Sequence, residues 1–82
     1  MAPKHRIRQY LLENFLFSGD HDALPDDAPL LGSGILDSTG VHELVMFLEE
    51  TWNVAVAPDE MVPANFHNVD AVDAFLARKL AA

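Results

Sequence analysis

The chain has 82 residues, half of them apolar and 22% charged, with no cysteine. That length gives one small domain, 1–82, with a modest core, since folding at this size removes only about 60–65% of the unfolded surface from water. The composition is globular, and the missing cysteine excludes disulfides, thiolate metal sites and cysteine nucleophiles. Thirteen acids against five Lys and Arg give a net charge of -8. Their placement is lopsided: Lys4, Arg6, Arg8, Arg78 and Lys79 are terminal, while residues 9–77 hold every acid and no Lys or Arg. A field of this sign repels nucleic-acid phosphates and anionic lipid and attracts basic protein surfaces. The expected partner is therefore a protein with a basic patch, not nucleic acid or membrane. No apolar run reaches the roughly 20 residues of a membrane span and no secretory pattern is visible, so the expected location is cytoplasmic; a monomer is the default expectation for the oligomeric state.

From Pro3 to Phe17, Ile7, Leu11, Asn14 and Phe15 recur at near-helical spacing, and Tyr10, Leu12 and Leu16 widen the stripe. The spacing predicts a first helix over about 3–17, with Pro3 in its first turn, Ser18-Gly19 as its stop and Gly19 as a left-handed cap. Residues 20–37 contain Pro25, Pro29, Gly32 and Gly34, which break regular structure, yet Leu24, Leu30, Leu31, Ile35 and Leu36 are too apolar for a solvated linker. They predict a long loop anchored on the core. Val41, Leu44, Val45, Leu48 and Trp52 then mark the buried stripe of a helix over 38–52. His42, Glu43, Met46, Glu49 and Glu50 lie on its other face, and Phe47 at the boundary.

After Asn53 the segment from Val54 to Pro58 reads as extended, with no second strand to pair with. Pro58-Asp59-Glu60 reads as a turn, Pro63 opens a short helix over 63–67, and Asn68 caps a last helix over 69–80. Asp70 in its first turn and Arg78 and Lys79 in its last oppose the helix dipole correctly, and Val69, Val72, Phe75, Leu76 and Leu80 form its buried stripe. The fold class is all-α: a small four-helix bundle of three main helices and one short one, with a long first loop.

The chemistry concentrates in Gly34-Ile35-Leu36-Asp37-Ser38-Thr39-Gly40. Asp37 or Ser38 can cap the second helix, but a cap does not explain Gly40 inside the first turn, where Gly costs about 1 kcal/mol relative to Ala. Gly40 reads as opening the backbone to approach by another molecule. His5, His21, His42 and His67 match no zinc spacing and read as solvated, a place beside a partner or a group carried on the serine being the less favoured alternative for His42. Asp20, Asp22, Asp26 and Asp27 lack the Gly and Glu of a calcium loop. No metal site is expected. Phe15, Phe17, Phe47, Trp52 and Phe66 read as packing. With no nucleophile elbow and no phosphate-binding glycine loop, no catalytic residue is expected either.

Gly34-Ile35-Leu36-Asp37-Ser38, followed by Glu43-Leu44-Val45-Met46 and Leu48-Glu49-Glu50, resembles the acyl carrier protein family. Pro58-Asp59-Glu60 and the run from Asn65-Phe66 to Val69-Asp70-Ala71-Val72 extend the likeness over about residues 4–80. The resemblance implies that Ser38 receives 4'-phosphopantetheine from coenzyme A, with Asp37 its motif partner, through a phosphopantetheinyl transferase that uses Mg2+. It implies further that an acyl- or aminoacyl-loading ligase and downstream acyl-transfer enzymes, each with a basic patch, dock on Thr39, His42, Glu43, Met46, Glu49 and Glu50. Cargo would be held as a thioester and sheltered between helices by Leu44, Val45, Phe47, Met61 and Phe66. Thr39 stands where the family usually has Leu, and Asp-Ser-Thr-Gly resembles stand-alone carriers outside the main fatty-acid set. The alternative is an unmodified protein-binding adaptor of the same fold, against which the intact Asp37-Ser38 pair argues.

Overall fold

The computed structural model describes residues 3–17 and 19–81, and all regular structure in them is helical. Helix α1 spans Pro3–Leu11 and runs into a wider π turn over Leu12–Leu16. Helix α2 spans Ser38–Trp52, α3 Pro63–Phe66 and α4 Val69–Ala81, with single 3-10 turns at His21–Ala23 and Pro58–Glu60. The four expected helices are present with ends within two residues of those read from the pattern, except at the end of the first.

There the stop differs. The Phe17 amide donates to the Leu12 carbonyl, and Phe17, not Gly19, takes the left-handed conformation (φ 52°, ψ 43°). This turns the Phe17 side chain out to 83% exposure, so it is not the packing residue its type suggests. Ser18 lies outside the described residues. Asn14 is exposed as well, its side-chain amide bonded back to the Tyr10 carbonyl at 2.9 Å.

The core is apolar throughout: Ile7, Leu11 and Leu12 from the first helix, Leu44, Val45 and Leu48 from α2, Phe66 from α3, and Val69, Val72, Phe75 and Leu76 from α4. Leu80, expected in the last stripe, is 49% exposed and does not join the core. The long loop is anchored as its leucines predict. Leu24, Leu30 and Leu36 are buried, and the backbone is tied to the α3–α4 junction by Leu30 N–H to the His67 carbonyl (2.8 Å) and Asp70 N–H to the Asp26 carbonyl (3.1 Å). Gly34, at φ 84°, occupies the one turn position in this loop that needs a glycine.

Gly40 does a different job from the one expected. It is buried, and a Cβ there would meet Leu36 Cδ2 and Phe15 Cε1, each at 3.1 Å. The missing side chain admits the chain's own Phe15 and Leu36 to the first turn of α2, so no outside molecule is needed to explain it. Farther along, Tyr10 stacks on Phe47 at 4.2 Å between centroids, and the Arg6 guanidinium lies 6.0 Å from the Trp52 ring. The first helix therefore runs antiparallel along α2 and brings the end of its π turn to the start of α2.

Candidate functional site

Ser38 is the first residue of α2 and is exposed. Asp37 precedes it in extended conformation, and its Oδ1 accepts the Gly40 N–H at 2.7 Å. Between the two candidate caps, the structure selects Asp37, a bond worth about 0.5–2 kcal/mol. The consequence for Ser38 is that its hydroxyl takes part in no hydrogen bond among the described residues. It stands at the amino end of a 15-residue helix, where partial positive charge gathers.

Beside it opens a cleft of about 400 Å³, lined by Asp37, Ser38 and His42 at its polar edge. Leu31, Val41, Met61, Val62 and Phe66, with Pro58 and Pro63, complete its apolar lining. Of the five residues expected to shelter cargo, Met61 and Phe66 line this cleft. Leu44 and Val45 are in the core and do not line it, and Phe47 lies along the groove toward Tyr10. Periodicity ranks Leu44 and Val45 as apolar α2 residues but cannot say that they are buried in the core away from the cleft. Leu31 and Val62 come from irregular segments, where only their apolar character could have marked them.

The residues expected to dock partners divide. Thr39, His42, Glu43, Met46 and Glu50 are exposed, Met46 to 57%. Glu43, Met46 and Glu50 border one groove together with Tyr10 and Phe47. There burial, then the Glu43 and Glu50 carboxylates, push the Tyr10 hydroxyl above its ordinary pKa. Glu49 faces elsewhere: half-buried, it accepts the Val56 N–H at 3.0 Å and pins the extended segment after α2. Tyr10 is a member of this surface that helical spacing had assigned only to the stripe of the first helix.

The described residues contain no cluster of three or more His, Asp or Glu able to hold a metal ion. No helix among them is long and apolar enough to cross a membrane.

No family model matches the chain. The lincomycin biosynthesis protein LmbN of Streptomyces lincolnensis is 40% identical over 68 residues, which cover 83% of this chain and 24% of that protein, so the chain spans about a quarter of it. A probable acyl carrier protein, PigG, of a Serratia strain is 32% identical over 73 residues, covering 89% of this chain and 83% of the other.

Proposed function

The chain belongs to the acyl carrier protein family, and we propose on that premise that Ser38 takes 4'-phosphopantetheine from coenzyme A and that the protein shuttles acyl or aminoacyl thioesters between enzymes. The observation that carries this reading is the exposed, unengaged Ser38 hydroxyl on the first residue of α2, with Asp37 turned away to the Gly40 N–H. The residues fit the group. A phosphodiester on Ser38 would gain from the helix amino end, and no neighbouring side chain competes for the hydroxyl. When bound, the group supplies the thiol that a chain without cysteine lacks.

This chain's own residues then do three things. Asp37 holds the first turn of α2 and so sets where Ser38 points. Leu31, Val41, Met61, Val62 and Phe66 line the cleft beside it with apolar surface, which suits an apolar cargo. Glu43, Met46 and Glu50, with Thr39, offer an acidic face with an apolar centre to the basic patches of a transferase, a loading ligase and downstream acyl-transfer enzymes. Likeness to a protein named for lincomycin biosynthesis supports a place in the assembly of secondary metabolites.

The test is intact mass after incubation with coenzyme A, Mg2+ and a broad-specificity phosphopantetheinyl transferase. One phosphopantetheine added to the wild type and none to Ser38→Ala is the expected outcome. No addition under conditions that modify a known carrier overturns the reading and leaves the protein-binding adaptor.

A further inference from the structure

We propose that His42 is a positioning residue for the prosthetic arm: its protonated imidazole pairs with the phosphodiester on Ser38 and holds the start of the arm at the mouth of the cleft. This rests on the reading of Ser38 as the attachment residue and goes beyond it. His42 follows Ser38 by four residues on α2, a spacing that brings Cβ atoms within about 5–6 Å on one helix face. Both side chains line the same cleft. His42 is exposed, and its ring has no hydrogen bond, ion pair or ring contact among the described residues, so it is available to a new partner.

The charge map singles it out. The single negative charge of a phosphodiester is ordinarily met by Arg or Lys, but residues 9–77 contain neither. Among the residues lining the cleft, His42 alone can carry positive charge, and histidine is the side chain that changes charge between about pH 5 and 8. The groups around it leave it that role. Asp37 spends one carboxylate oxygen on the Gly40 N–H. Glu49, on the same helix, binds the Val56 N–H, and Glu43 borders the groove with Tyr10 on the other flank of α2. From the segment before α3, Glu60 is committed to Lys79 and the Ala57 N–H, and Asp59 is exposed outside the cleft lining. The remaining lining side chains are uncharged.

The pairing would offset, at one point, the acidic field in which the arm's phosphate must sit. It would also make the position of the arm at the cleft mouth, though not its covalent bond to Ser38, depend on the charge of this side chain.

The experiment uses the phosphopantetheinylated protein, its loading verified by mass, and follows the phosphorus NMR signal of the phosphodiester across pH about 5–8, where histidine titrates. A phosphodiester has no proton to lose in this range, so movement of its signal reports a neighbour. The expected result is a sigmoidal shift in the wild type, a flat line in His42→Gln, and a displaced but flat line in His42→Lys, whose charge is fixed. A flat wild-type signal, or a His42→Gln protein that shifts like the wild type, overturns the proposal while leaving Ser38 as the attachment residue. Absence of loading overturns both. His42 is exposed, so these variants leave the core untouched.

Discussion

Where the first helix meets α4, Lys4 reaches Asp26 at 3.4 Å and Asp70 at 2.7 Å, and Arg8 binds the Asp26 carboxylate and the Leu24 carbonyl. At the far end of α4, Lys79 holds Glu60 at 2.8 Å, and Arg78 donates to Asn65. On α2, by contrast, no ion pair among the described residues reaches Glu43 or Glu50, although Met46 and Tyr10 lie between them. Both regions carry carboxylates; they differ in whether the chain supplies the cation. Every Lys and Arg sits in a terminal helix; Lys4, Arg8 and Lys79 pair with carboxylates near those helices, Arg6 lies against Trp52, and none of them pairs with Glu43 or Glu50. One side ties the loop to the bundle; the other leaves its carboxylates facing solvent.

The comparison can be broken most forcefully on α2 itself, whose two faces should differ sharply. Leu44→Ala removes a fully buried side chain and is expected to cost about 2–5 kcal/mol, whereas Met46→Ala, at an exposed position, should change stability by no more than about 0.5 kcal/mol. Urea unfolding of both variants measures this. Equal losses would mean that Met46 is packed and the face is not open.

Charge removal should sharpen the contrast with smaller effects. Lys4→Gln breaks two partly exposed pairs, and its expected cost is about 0.2–1 kcal/mol per pair, less in added salt. Replacing Glu43 and Glu50 by Gln breaks no pair, so stability should hold or rise slightly. The double variant should weaken binding to a transferase and flatten its salt dependence. It should also let the Tyr10 hydroxyl titrate lower than in the wild type, still above the ordinary value because burial is the larger cause. Tyr10 is the one tyrosine of the chain, so ultraviolet absorbance reads it directly.

The smallest effect belongs to Glu60, whose carboxyl the Lys79 side chain, then the Ala57 N–H, hold below the usual range. A carboxyl lowered on folding stabilises the folded state above its unfolded pKa. That contribution is lost as pH falls through the lowered folded value. Thermal unfolding of wild type and Glu60→Gln should therefore differ at neutral pH and converge in acid; a gap that persists in acid would remove the ion pair as its cause.

Much of this is legible in the sequence. Asp37 and Asn68 were readable as caps because a cap acts within three residues of itself, and the bonds to the Gly40 and Ala71 amides are both 2.7 Å. The apolar stripe of α2 and the anchoring leucines of the loop followed from hydrophobic period and from leucines too numerous for solvent. Gly40 was misread because its neighbour Phe15 is remote in sequence, and Phe17 because a left-handed residue at the helix end reversed its direction. Glu49 looked like its exposed neighbours until the Val54–Ala57 backbone came to lie against it.

The order of elements, the caps, the buried stripes and Ser38 at the start of α2 were determined by the sequence itself, because periodicity and capping are local interactions between residues a few positions apart. Which flank of α2 meets the first helix, which side chains wall the cleft beside Ser38, and which acids are left without a cation were decided only by tertiary packing. Those properties depend on segments far apart in the chain filling the same space, and no local pattern encodes how they meet.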